Sequence, residues 1–183
     1  MAPAPRLTTE AYLRTPETLR PTELIYGMLR VADAPTVRHQ QAVGAFLFHL
    51  MVHVRERALG VVLTAPCDVI FDRKRALILQ PDLLFVAQAR RDILANQVNG
   101  APDMVLEVLS PYPRLGELHE RLSWFAEYGV KEIWLLHQTD ERLALLTTAD
   151  GRIATQQTFD YMTPIRSGVL PHFSRTVADL LRE

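Results

Sequence analysis

The sequence predicts a mixed α and β fold of the α/β class, with a parallel strand pair and a β-hairpin. Three observations carry that prediction. Apolar runs at residues 83–86, 104–109 and 132–136 have the length and composition of buried strands. A helical pattern over 115–128 lies between the last two, so residues 104–136 form a strand–helix–strand unit with a parallel pair. A longer helical pattern, from about Val37 to Leu59, precedes them. At 183 residues the chain is long enough for one domain with its own core. That domain is predicted over residues 7–183, behind a Pro/Ala-rich N-terminus, residues 1–6, expected to be disordered.

The elements follow in order. Thr8 or Thr9 can cap a short helix ending near Leu13. Pro16 and Pro21 bracket a loop. Residues 22–31 read as a hairpin turning at Tyr26-Gly27, where glycine accepts a positive φ. In the long helix Val43, Phe46, Leu47, Leu50, Met51, Val54 and Ala58 form one apolar face, and Gly60 stands where a stop belongs. Residues 61–63 and 67–71 read as strands separated by Pro66. Asp72-Arg73-Lys74-Arg75 is a charged, solvated turn, and residues 76–79 a short strand. Residues 87–101 are polar and predict a loop or loose helix. Ser110-Pro111-Tyr112-Pro113 stops the strand that begins at Met104. In the helix after it, Leu118, Leu122, Phe125 and Ala126 face the core, while Glu117, Arg121, Trp124 and Tyr128 share a second face. Gly129 ends that helix. Residues 142–146 and 153–159 are strands joined by a turn at 149–152, and residues 177–181 a terminal helix.

Composition narrows the function. A formal net charge of −1 excludes the broad basic field of a tight, non-specific DNA binder. The single cysteine, Cys67, excludes an intramolecular disulfide and a thiolate cluster, and a cytoplasmic location fits it. No apolar run is long enough to span a bilayer. There is no GxGxxG, no phosphate-binding P-loop and no GxSxG. His49 and His53 have the spacing of a zinc pair, but no HExxH acid or second cysteine completes a site, and they read as surface histidines. His39, at the start of the long helix, reads as a helix-end histidine bonded to backbone.

Two lone carboxylates stand out. Asp82 precedes one apolar run and Glu107 interrupts the next. Acids on neighbouring buried strands need a positive partner, and a divalent cation with oxygen ligands is one answer. The commoner arrangement is a pair of strand ends facing solvent. Spacing alone leaves both open.

The order of several short motifs adds to this reading. They are Glu23-Leu24-Ile25-Tyr26-Gly27, His39-Gln40, Pro81-Asp82, Pro102-Asp103-Met104-Val105-Leu106-Glu107-Val108-Leu109-Ser110-Pro111 and Tyr128-Gly129-Val130-Lys131-Glu132-Ile133-Trp134-Leu135. In these the chain resembles the Uma-two family of restriction-endonuclease-like proteins, within the PD-(D/E)XK nuclease superfamily, over roughly residues 7–181. The resemblance implies a restriction-endonuclease-like core, a mixed sheet flanked by helices with an added β-hairpin region, and a Mg²⁺ (or Mn²⁺) site held by Asp82, Glu107 and the Val108 carbonyl. It implies that Glu23, His39, Glu117 and Tyr128 line the same pocket, and that Arg121 takes the place of the family's lysine. The implied activity is metal-dependent endonucleolytic hydrolysis of DNA, by a homodimer whose interface involves Trp124 or the final hairpin. The departures matter. Arg121 stays protonated and cannot be a general base, although it can stabilise a phosphate. The family's Trp-x-x-Asp-Pro reads Trp134-Leu135-Leu136-His137-Gln138 here. The alternative expectation is a catalytically silent nuclease-like fold that binds DNA or protein.

Overall fold

Thr8 accepts a hydrogen bond from the Ala11 amide and caps the first helix, α1 (Thr9–Tyr12). The computed structural model describes residues 6–16, 20–111 and 114–182. Residues 1–5 of the N-terminus predicted to be disordered, the middle of the Pro16–Pro21 loop, Tyr112-Pro113 and Glu183 lie outside those residues. The predicted hairpin forms β1 (Thr22–Ile25) and β2 (Met28–Val31). Its turn holds Tyr26 at φ 48° and Gly27 at φ 86°, the paired positive values that suit strand twist. Thr36 caps the long helix α2 (Val37–Glu56) through the His39 amide.

Next come β3 (Gly60–Thr64), β4 (Val69–Asp72), β5 (Leu77–Leu79) and β6 (Leu83–Ala87). The polar stretch predicted as loop or loose helix holds a 3₁₀ segment, Gln88–Ile93, and a two-residue strand, β7 (Val98–Asn99). Then follow β8 (Met104–Leu109), α3 (Leu115–Glu127), β9 (Glu132–His137), β10 (Arg142–Ala149), β11 (Arg152–Phe159) and α4 (Val177–Leu181).

The strands divide into two sheets, a partition that the sequence did not reveal. A six-stranded sheet runs β11-β10-β9-β8-β6-β3, and a five-stranded sheet β2-β1-β5-β4-β7. β8 and β9 are parallel, as the strand–helix–strand pattern requires, and β6 pairs β8 antiparallel. One face of the larger sheet, with Phe85, Leu106 and Trp134, packs on Phe46, Leu50 and Val54 of α2 and on Val177 and Leu180 of α4. The other face, with Val86, Val105 and Ile133, meets Leu122 and Phe125 of α3 and Val69, Leu77 and Leu79 of the smaller sheet. Leu24, Ile70 and Ile78 on the smaller sheet's far face are covered by Leu7, Tyr12 and Leu13. Burying both faces of the larger sheet explains why its inner strands are apolar at nearly every position.

Two local expectations change. The long helix stops at Glu56, and the residue that takes the left-handed turn is Ala58, at φ 51°. Gly60 therefore opens β3 and does not cap the helix. It is required there because a Cβ would lie 2.1 Å from the Val86 carbonyl oxygen. Ala58, beyond the shortened helix, leaves the apolar face, and Met51, within it, is exposed. His53, by contrast, is buried, bonded to the Pro171 carbonyl at 3.0 Å and edge-on to Phe173. The expectation of a surface histidine fails at His53 because the segment before α4 folds over that turn of α2.

Candidate active site

The β6–β8 pair is closed at both ends by the same device. Each strand is preceded by Pro-Asp, and each aspartate caps the far end of the other strand. Asp103, before β8, accepts the Ala87 N–H at 2.8 Å, and Asp82, before β6, accepts the Val108 N–H at 2.7 Å. These carboxylates stand in for ladder carbonyls beyond the paired residues. What differs is the surrounding charge. Asp103 is fully buried and meets two permanent cations, Lys131 at 2.7 Å and Arg90 at 3.3 Å. Burial alone would push its carboxyl up, but Lys131, the Ala87 amide and Arg90 outweigh it and hold the group below the usual aspartate range. That end is an ion-paired structural clamp.

At the Asp82 end the acids outnumber the permanent cations. The ladder pairs Leu83 with Leu106. Continued one step beyond that last pair, the register would set Asp82 opposite Glu107, and the Asp82 charge raises the Glu107 carboxyl. Like charges directly opposite in an antiparallel pair lie about 5 Å apart at Cβ and repel. With an effective dielectric near 20 the repulsion is roughly 3 kcal/mol. Glu23, from β1 of the other sheet, is the third acid. Its Oε1 accepts the Gln80 N–H and Arg121 Nη1, both at 2.7 Å. Arg121 Nε also donates to Glu107 Oε1 at 2.8 Å. One guanidinium thus joins acids from two sheets. On the other side His39 Nε2 lies 3.2 Å from Asp82 Oδ2.

The electrostatics follow from this count. Burial pushes the Glu107 carboxyl up to about 8; Arg121 opposes the rise, while Asp82 and Glu23 add to it. Burial works against the Arg121 charge, but Glu107 and Glu23 prevail and keep the guanidinium protonated. The Asp82 bond raises His39 against burial, and Glu107 and the Val108 carbonyl act in the same direction. Three carboxylates face one guanidinium and one imidazole, and a proton on Glu107 or an added cation restores the balance. The four principal side chains remain reachable, since Asp82, Glu107, Arg121 and Glu23 expose between 11% and 20% of their area. Among the described residues no hydrogen bond or ion pair engages Asp82 Oδ1 or Glu107 Oε2.

The structure thus brings together Asp82, Glu107, Val108, Glu23, His39 and Arg121. His39, at the helix end, bonds the Asp82 carboxylate through its ring and so joins the pocket, because α2 begins beside the β6–β8 end. Two pocket residues implied by the resemblance point elsewhere. Glu117 pairs with Arg30 and with Arg114, on the exposed first turn of α3. Tyr128 donates to Asp72 and accepts from Arg75 at the other end of that helix, against the β4–β5 turn. The shared helix face is real, but a helix of this length spans the distance between two different sites. Trp124, proposed for an interface, packs edge-on against Tyr26. The sequence reading missed the Gln80 amide, which holds Glu23; no side-chain signal marks a backbone donor. Two cavities, of about 750 and 790 Å³, lie along α2 and beside Tyr12, and none of the clustered acids lines either.

Comparison with known proteins agrees with this architecture. The model of the Uma2 family, described as "putative restriction endonuclease", matches residues 9–178. A crystal structure from Anabaena variabilis, described as a "putative nuclease belonging to DUF820", is similar in fold, with a TM-score of 0.78. The match covers 96% of this chain and 97% of that one at 16% identity. No curated protein matches the chain. No helix among the described residues is long and apolar enough to cross a membrane.

Proposed function

The chain belongs to the Uma2 family of restriction-endonuclease-like proteins, and from that premise we propose that it is a Mg²⁺- or Mn²⁺-dependent endonuclease hydrolysing DNA phosphodiester bonds at Asp82 and Glu107. The observation that carries the reading is the contrast between the two Pro-Asp ends of the β6–β8 pair. Where permanent cations suffice, at Asp103, the site is closed. Where they do not, Asp82 and Glu107 each keep one oxygen free of hydrogen bonds and ion pairs among the described residues.

The donor set fits a hard cation. Among the described residues no cluster of three or more His, Cys, Asp or Glu side chains is arranged to hold a metal. Magnesium does not need one, since one or two carboxylates with water and phosphate oxygens complete its shell. Asp82 Oδ1, Glu107 Oε2 and the Val108 carbonyl would hold it. When bound, the ion would supply charge stabilisation and a more acidic water. The protein's own groups do the rest. The Val108 amide and His39 fix the Asp82 carboxylate. Glu23 and the Gln80 amide orient Arg121. Arg121, always protonated, stabilises the charge that develops on the phosphoryl oxygens and takes no proton.

A second reading has its own observation. Arg121 cross-links Glu107 and Glu23, which suits a fold kept for binding DNA or protein after catalysis is lost. The two readings separate in one experiment. Supercoiled plasmid and labelled oligonucleotides are incubated with the protein in Mg²⁺, in Mn²⁺ and in EDTA, beside Asp82→Asn and Glu107→Gln. Metal-dependent cleavage absent from both variants supports the nuclease. Cleavage no greater than the variants' supports the silent module. We also propose a homodimer that presents one site to each strand; sedimentation velocity at micromolar concentration tests it, and a monomer would refute it.

A further inference from the structure

Arg121 does more than replace a lysine. Its guanidinium bonds Glu107 through Nε and Glu23 through Nη1, at 2.8 and 2.7 Å, using the rigid fork that a lysine lacks. The Phe125 ring, one turn further along α3, lies beneath it at 5.2 Å. Only 17% of the side chain is exposed. Two carboxylates and one aromatic ring hold the charge in place. A lysine ammonium at this position could satisfy one acid and swing away from the other. The guanidinium is therefore a fixed positive charge at the point where the acids converge.

We propose that Arg121 is a resident counter-cation that competes with the divalent metal. It ties the acids together in the metal-free protein and weakens metal binding, so that the site loads only at high metal concentration. This rests on the reading of Asp82 and Glu107 as a metal site. The competition follows whichever way the cation enters. If Arg121 stays, the ion binds beside a fixed like charge. If Arg121 leaves, two charge-assisted bonds break first. Either route lowers affinity below that of the same carboxylates without the guanidinium.

Mn²⁺ binding without DNA tests this by titration calorimetry on the native chain, Arg121→Met, Arg121→Lys and Asp82→Asn, with thermal unfolding in parallel. Arg121→Met should bind Mn²⁺ at least about tenfold more tightly. Its midpoint, lowered without metal, should rise on adding Mn²⁺ by more than that of the native chain. Arg121→Lys, which keeps a cation and serves if the methionine variant does not fold, should fall between. Asp82→Asn should lose binding. Equal or weaker binding by both Arg121 variants, with native binding intact, overturns the counter-cation and leaves the metal site standing. Absence of binding by every protein overturns the metal site and the counter-cation with it.

Discussion

Replacing Glu107 with glutamine removes one carboxylate and keeps its volume, which isolates the charge. Arg121 retains Glu23, so the guanidinium is not left unpaired. The consequence depends on pH. Burial pushes the Glu107 carboxyl from an ordinary glutamate value up to about 8. A raised folded-state pKa means that the folded protein binds more protons than the unfolded chain between those values. Its contribution is fully present below the unfolded glutamate pKa and is lost as pH rises through about 8. Each pKa unit is worth about 1.4 kcal/mol, so the full change amounts to roughly 4–5 kcal/mol. The glutamine variant cannot titrate there. At low pH the two proteins should match. By about pH 9 the variant should be the more stable by a few kcal/mol, or roughly 2–4 °C in midpoint for each. The Asp82 bond, the largest cause of the His39 rise, is common to both proteins, whereas the smaller part due to the Glu107 charge is present in the native chain alone. Urea denaturation in EDTA, run at pH steps on both proteins, measures it. A stability difference that stays constant with pH would refute the reasoning and show that Arg121 keeps Glu107 ionised throughout.

Other perturbations have equally definite outcomes. Asp103→Asn removes the acid that pairs with Lys131 and Arg90 at that end of the β6–β8 pair; both cations reach solvent, so the loss should be about 1–3 kcal/mol by urea denaturation. Because the Asp103 carboxyl is held below its ordinary value, its contribution is present above the unfolded aspartate pKa and lost as pH falls through the folded one. The native chain should thus lose that advantage over the variant in acid. Gly60→Ala places a methyl group against the Val86 carbonyl and should lower the thermal midpoint, whereas an unchanged midpoint would mean that β3 shifts freely. At saturating metal, Arg121→Ala should slow cleavage about 10²-fold and Arg121→Lys should largely preserve it; equal rates for all three would make Arg121 a structural partner only.

Much of the molecule is written locally in its chain. Thr8, Thr36 and Thr176 each cap a helix through a side-chain oxygen, and such caps act within one turn. Tyr26-Gly27 and Asp150-Gly151 turn hairpins because short-range sterics decide positive φ. The parallel β8–β9 pair follows from the helix between them. Asp82 and Glu107 are conspicuous because a lone acid beside an apolar run is conspicuous in any sequence.

Only the tertiary structure decided what those acids meet. Pro81-Asp82 and Pro102-Asp103 look alike, and the difference between a cation-balanced clamp and an acid-rich recess lies in which charges arrive from elsewhere. Arg90 and Lys131 come to one end; Glu23, Arg121 and His39 come to the other. Glu23 and Arg121 stand 98 residues apart and are joined by the packing of two sheets that no local pattern distinguishes. The same packing sends Tyr128 to Asp72 and Glu117 to Arg30, although both share a helix face with Arg121. Helical spacing sets a side chain's direction about its axis. What waits in that direction is set by the burial of whole sheet faces, a property of the assembled fold.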